Sequence, residues 1–150
     1  RIRLREIAER AVGALAPLMD ARSVEVTIVG QAPTVLGDID RLQQVIANLV
    51  DNASRMTSTG GHVRVDLSRE SNFAVLSVLD EGPGIPEDAL PHLFERFYRA
   101  QASRDRSTGG AGLGLAIVSA IVRAHAGTIE AANRPEGGSA FTMKLPIIAD

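Results

Sequence analysis

Residues 40–57 read DRLQQVIANLVDNASRMT, and both sides of the helix they predict carry information. Leu42, Val45, Ile46, Leu49, Val50 and Ala53 recur at the three-and-four spacing of an amphipathic helix, so one stripe faces a core. The other stripe is Arg41, Gln44, Asn48, Asn52 and Arg55, which projects two carboxamides one turn apart with cations above and below. Asn costs a helix roughly half a kcal/mol against Ala, so two on one face reflect either a solvated surface or a chemical task. The task open to neutral carbonyl oxygens is to complete the shell of a hard cation while phosphates supply the negative charge.

Composition sets the outer limits. A chain of 150 residues with 45% hydrophobic content suits one domain with a substantial buried core. Lys and Arg number 16 against 18 Asp and Glu, a net charge of −2, so no global field favours nucleic acid or an anionic membrane. With no Cys there is neither a disulfide framework nor a thiolate metal site. The longest apolar run, residues 113–122, is broken by Gly114 and Ser119 and is about half of a membrane span. Arg1, Arg3 and Arg5 lead into an amphipathic pattern rather than a signal-peptide core. These features predict a soluble, cytoplasmic domain without direct membrane or nucleic-acid contact.

Outward from the Asn-bearing helix, residues 4–18 carry a helical stripe that Pro17 kinks or stops. Residues 24–29 alternate as a half-buried strand closed by Gly30, and the short apolar run 34–37 is its expected hairpin partner. Asp38 or Asp40 caps the central helix, and Gly60-Gly61 is expected to end it. Strands follow at 62–68 and 73–79, joined by a turn at 70–72. Residues 87–98 suggest short helical turns, while 99–112 show no apolar periodicity. An apolar helix spans 113–126 up to Gly127, and the segment NRPEGGS joins two last strands at 128–132 and 140–145. Strands gathered in hairpins predict an antiparallel or mixed sheet covered by helices on one face.

Two glycine-rich segments carry chemistry. The first, DEGPGIP at 80–86, follows a strand. It is either an ordinary tight turn or a place where a flat ligand lies on backbone, with Gly82 and Gly84 supplying unusual angles and Asp80 offering a carboxylate. A carboxylate accepting from an exocyclic amine selects adenine over guanine. The second, GGAGLG at 109–114, opens the late helix, where exposed N–H groups and the positive end of the helix dipole suit phosphate. It lacks the Lys of a Walker loop and the third Gly of a dinucleotide fingerprint. Between them, LFERFYR at 93–99 and the polar AQASRDRST suit a lid with an aromatic anchor, in which Phe94 and Phe97 also serve as core residues.

In this order the motifs resemble one family, the ATP-binding catalytic domain of sensor histidine kinases within the GHKL group. NLVDNASRMT resembles its asparagine box, DEGPGIP its first glycine box, FERFYR its phenylalanine box and GGAGLGLAIV its second glycine box; GGSAFT at 137–142 is similar to its last glycine segment. The resemblance covers residues 4–146. It implies a two-layer α/β (α+β) sandwich of Bergerat type: a mixed, mainly antiparallel sheet with helices on one face, and ATP held between helices and a mobile lid. It makes Asn52 a Mg²⁺ ligand and Asn48 its phosphate-side or metal-side neighbour. It places Arg55 where a Lys usually meets the phosphates, Asp80 at the adenine amine, Gly82 and Gly84 in the base pocket with Ile85 and Tyr98, and Arg99 at the terminal phosphate. Gly110, Gly112, Leu113 and Gly114 wrap the phosphate chain in this reading.

Three positions depart from the pattern. Arg55 replaces Lys and adds a bidentate fork. Met56 stands where Tyr is frequent, and Ala140 where a Thr often reaches toward the base. The related ATPases of the group place a water-activating Glu where this chain has Asn48, and an amide has no basic lone pair for that proton. A neutral imidazole already presents a lone pair near pH 7, so a site of this kind suits a histidine acceptor. His62, His92 and His125 lack the setting of a phosphoacceptor helix, so the expected partners are separate phosphoacceptor helices of a longer, membrane-anchored kinase and its response regulator. The isolated domain is expected to be a monomer that binds ATP without phosphorylating itself. A protein-serine kinase of the anti-sigma-factor type and a nucleotide-binding module without transfer activity are the alternatives.

Overall fold

The structure, a computed structural model, describes residues 1–95 and 114–148. Helix α1 (Leu4–Ala14) breaks at Leu15 and resumes as α2 (Ala16–Arg22), where Pro17 sits in the first turn and its missing N–H costs no bond. Strand β1 (Glu25–Gly30) leads into the central helix α3 (Ile39–Met56), capped by Asp38, whose carboxylate accepts from the Arg41 N–H at 3.1 Å. Strands β2 (His62–Glu70) and β3 (Phe73–Leu79) form a hairpin, a single 3₁₀ turn occupies Leu90–His92, and α4 (Gly114–Ala124) precedes β4 (Thr128–Asn133) and β5 (Ser139–Pro146).

The five strands lie in the order β1-β2-β3-β5-β4, parallel between β1 and β2 and antiparallel elsewhere. Inward rows cross the sheet in register, such as Val65, Val78, Phe141 and Ala131. Against them α3 buries Leu42, Val45, Ile46, Leu49, Val50 and Ala53 completely. Burying each of the larger ones contributes about 1.5–3 kcal/mol, which is why this stripe fixes α3 against the sheet. The opposite face keeps Arg64 and Ser68 exposed and pairs the Ser77 and Thr142 hydroxyls at 3.0 Å. The strand pattern predicts an antiparallel or mixed sheet covered by helices on one face, and the family resemblance implies the mainly antiparallel two-layer sandwich observed.

Two local expectations are corrected. Residues 34–37 do not pair with β1; instead Val35 exchanges both backbone hydrogen bonds with Ile2, at 2.8 and 3.0 Å, and fastens the amino terminus. The edge of β1 is taken by β2, which a parallel partner can reach because α3 supplies the long crossover. Nor do Gly60 and Gly61 end α3, which stops at Met56. Its cap, Thr57, has extended backbone angles, and the buried hydroxyl accepts from the Glu81 N–H at 3.3 Å. The helix therefore stops where tertiary contact with the exit of β3 takes over.

Helix α4 ends in a Schellman turn: Gly127 N donates to Val122 O at 3.0 Å and Ala126 N to Arg123 O at 2.9 Å. The left-handed residue of that turn is Ala126, with φ +61°, whereas Gly127 is small because a Cβ there would lie 2.4 Å from Lys144 O. Alanine in this region costs about 1–2 kcal/mol, partly offset in glycine by its greater unfolded-state freedom. Ala126→Gly is therefore expected to stabilise the domain by about 0.5–1 kcal/mol in urea unfolding. A destabilised variant would contradict the strain.

Candidate functional site

The polar stripe of α3 lies where its spacing places it. Asn48 and Asn52 are half-buried, and neither carboxamide hydrogen-bonds to another described residue. Two uncommitted amide oxygens one helical turn apart fit an oxygen-ligated divalent cation such as Mg²⁺, which is held by few protein ligands together with phosphate and water. Among the described residues no group of three His, Cys, Asp or Glu side chains could hold a metal by itself.

Arg55 is engaged by its own helix. Its Nη2 lies 2.5 Å from Asp51 Oδ2, while Arg22 on α2 reaches Asp51 Oδ1 at 2.7 Å and the Ser54 hydroxyl at 2.5 Å. Burial alone would raise the Asp51 carboxyl, but the hydrogen bonds and charges of Arg55 and Arg22 bring it below the ordinary 3.8. A carboxylate held down in this way adds stability above its unfolded value and loses it as pH falls through the folded one. The stability difference between the wild-type chain and Asp51→Asn should therefore be constant above about pH 5 and shrink below about pH 4. Urea unfolding at pH 7 and pH 3 measures it, and a pH-independent difference would remove Asp51 as the linked group.

Asp80 leaves the end of β3 with no exposed surface. Its Oδ1 accepts from Gly82 N at 2.9 Å and Ser139 N at 3.1 Å, and its Oδ2 from the Ser139 hydroxyl at 2.5 Å. Counting lone pairs, Oδ1 is saturated and Oδ2 retains one acceptor position. Ser139 is a site residue that sequence reading passed over in favour of Ala140. Side chains alternate along β5, so Ser139 shares the helix-facing side with Phe141, and Ala140 points to the other face.

The turn after Asp80 is tight for two separate reasons. Gly84 has φ +87°, but Gly82 has no positive φ; it is small because a Cβ would lie 2.5 Å from Met56 O at the end of α3. The expectation that both glycines supply unusual backbone angles is thus corrected at Gly82. This contact and the Thr57–Glu81 bond join the turn after Asp80 to the carboxamide helix. Ile85 packs at the edge of the core in that turn.

Gly114 is the first described residue of α4, and no other described residue crowds the place of a Cβ there. At the far end His125 Nδ1 donates to Ile121 O at 2.8 Å, and Nε2 accepts from Asp38 N at 3.0 Å. The carboxyl end of α4 is thus tied to the start of α3, against which α4 packs, and its eleven residues run about 16 Å from there to Gly114. His62 lies 3.0 Å from the Thr27 hydroxyl and His92 2.8 Å from Glu95, so all three histidines have structural partners. Phe94 stacks edge-on against Phe141, with ring centroids 6.1 Å apart, as a core residue. Phe97, Tyr98, Arg99, Gly110, Gly112 and Leu113 lie outside the described residues.

Residues 37–149, which contain every one of these elements from α3 onward, match the family model described as histidine kinase-, DNA gyrase B-, and HSP90-like ATPase. The chain belongs to that family. Among relatives of this ATPase-family domain, it is 46% identical over 117 residues to the signal transduction histidine-protein kinase BaeS of Escherichia coli, covering 78% of this chain and 25% of BaeS. It is 47% identical over 116 residues to the probable sensor histidine kinase TcrY of Mycobacterium tuberculosis, covering 77% of this chain and 24% of TcrY. The chain thus spans about a quarter of the length of these relatives. Among solved structures, the mycobacterial sensor histidine kinase MprB superposes with TM-score 0.81 at 31% identity, covering 97% of this chain and 95% of that one. Full-length ShkA, solved in complex with AMPPNP, superposes with TM-score 0.83 at 29% identity over 99% of this chain and 31% of its own. No helix among the described residues is long and apolar enough to cross a membrane.

Proposed function

We propose that this ATPase-family domain binds Mg-ATP and passes the γ-phosphoryl group to a histidine on separate phosphoacceptor helices, as the catalytic module of a cytoplasmic sensor-kinase segment. The observation that carries the reading is the pair of half-buried, uncommitted carboxamides at Asn48 and Asn52, together with the buried Asp80 at the end of β3.

In this reading Asp80 Oδ2 accepts from the adenine amine with its remaining lone pair, and Ser139 and Gly82 hold the carboxylate in place. Gly84 and Ile85 border the base. Asn52 and Asn48 offer carbonyl oxygens to magnesium, which when bound neutralises phosphate charge. Arg55, oriented by Asp51, faces the phosphates along the same stripe, and the N–H groups at the start of α4 take phosphate oxygens. Arg99, Tyr98, Gly110, Gly112 and Leu113 are assigned to the lid and phosphate chain on the resemblance alone. Asn48 takes no proton from water, so hydrolysis is slow; the acceptor imidazole brings its own lone pair.

Calorimetry with Mg-ATP tests binding. Incubation of the loaded domain with a phosphoacceptor domain from a sensor kinase then tests transfer. An acid-labile phosphate on the acceptor is the expected product. An acid-stable phosphate points to serine, and tight binding with no transfer to any acceptor leaves a nucleotide-binding module.

A further inference from the structure

We propose that Asn133, the last residue of β4, is a positioning residue for adenine recognition: its carboxamide sets the backbone of the 80–85 turn that carries Asp80. The proposal rests on the nucleotide reading above and adds to it a residue on a distant strand.

Among the described residues, no main-chain-to-main-chain hydrogen bond is made by residues 81–85. The turn is held by side chains instead. At its exit the Asn133 carboxamide grips one residue from both sides, with Oδ1 accepting from Ile85 N at 2.6 Å and Nδ2 donating to Ile85 O at 2.8 Å. At its entrance the neighbouring Arg134 donates from Nη1 to Asp80 O at 2.8 Å. Consecutive residues at the end of β4 therefore clamp both ends of the segment whose first carboxylate reads the base.

The fit is specific to a carboxamide. A single side chain that both accepts from and donates to one peptide unit mimics a strand neighbour, and among side chains of this length only Asn offers both groups in a planar fork. Asp keeps the acceptor and loses the donor, and Ala loses both. Gly84, with φ +87°, is shaped around the same group, since a Cβ there would lie 2.9 Å from Asn133 Oδ1. Without the clamp, Ile85 is free to move, Gly82 N shifts with it, and the Asp80 carboxylate loses one of the donors that aim its open lone pair.

The readout is base discrimination rather than affinity alone. Inosine triphosphate carries a carbonyl oxygen where adenine has its amine, so it has no exocyclic donor for Asp80 and depends less on how that carboxylate is aimed. Calorimetry on the wild-type chain with ATP and with inosine triphosphate, each with Mg²⁺, should show about a 10- to 100-fold preference for ATP, the range of one charge-assisted hydrogen bond. In Asn133→Ala, ATP binding should weaken about tenfold and inosine triphosphate binding by less than about twofold, so the preference collapses. Asn133→Asp, with the same shape, should move in the same direction and decides the matter if the alanine variant does not fold. Equal losses for both nucleotides, or an unchanged preference in a folded variant, would overturn the proposal while leaving the nucleotide reading intact. A wild-type chain that does not prefer ATP would overturn both.

Discussion

Asn52→Asp should reduce phosphotransfer from Mg-ATP to a supplied phosphoacceptor domain by at least about 100-fold while leaving the fold unchanged. The two side chains have the same shape and similar helix propensity. Asn52 is half-buried on the polar stripe of α3 and makes no hydrogen bond to another described residue, so its replacement breaks no packing. What changes is charge. A carboxylate at this point adds a full negative charge beside the position assigned to the phosphates, where a pair of charges 4 Å apart interacts by about 4 kcal/mol near a protein surface. It also competes with Asp51 for the Arg55 guanidinium on the same helix. Labelled ATP with a separate acceptor domain measures the rate, and circular dichroism checks the fold. Transfer at the wild-type rate would remove Asn52 from the metal site.

The second large effect is expected at Gly138→Ala. Gly138 has φ +83°, and a Cβ built there would stand 2.0 Å from Asp80 O and 2.8 Å from Asp80 C. Those are main-chain atoms at the very residue assigned to the base, so no flexible side-chain end can give way. Backbone strain of about 1–2 kcal/mol and overpacking of about 1–3 kcal/mol together predict a loss of about 3 kcal/mol in stability. Because the displaced atoms are those of Asp80, ATP affinity should fall by more than about tenfold even where the variant remains folded. Urea unfolding and calorimetry read the two effects separately. Wild-type values in both would mean that the β4–β5 turn does not need to approach Asp80 this closely.

Much of the fold was legible in advance because it rests on local periodicity. The stripe from Leu42 to Ala53 and the alternation of Val63, Val65 and Leu67 are properties of neighbouring residues, and they emerge buried as read. An aspartate cap, at Asp38 or Asp40, was also legible, since a side-chain acceptor before a helix acts on N–H groups three residues away, and the structure settles it on Asp38. Expectations that depended on a distant partner fared worse. A short apolar run after Gly30 looks like a hairpin return, yet Val35 pairs with Ile2 at the other end of the chain. The glycines at 60 and 61 look like a helix stop, yet the stop is a threonine held by Glu81.

The candidate site divides in the same way. Asp80 announced itself as an acid at a strand end before glycines, and the two asparagines as a costly choice on one helical face. Ser139, 59 residues from Asp80, did not, and neither did Asn133, 48 residues from Ile85. The amino-acid sequence by itself determined which stretches are helix and strand, which face of each is apolar, and which side chains are chemically out of place on α3 and after β3. Only the tertiary structure decided that β1 runs parallel to β2, where α3 stops, that Gly82 is small for packing rather than for its angles, and which hydroxyl and which carboxamide hold Asp80 and its turn. Periodicity is written by residues a few positions apart, whereas a hydrogen bond across a sheet joins residues whose separation leaves no trace in the neighbourhood of either.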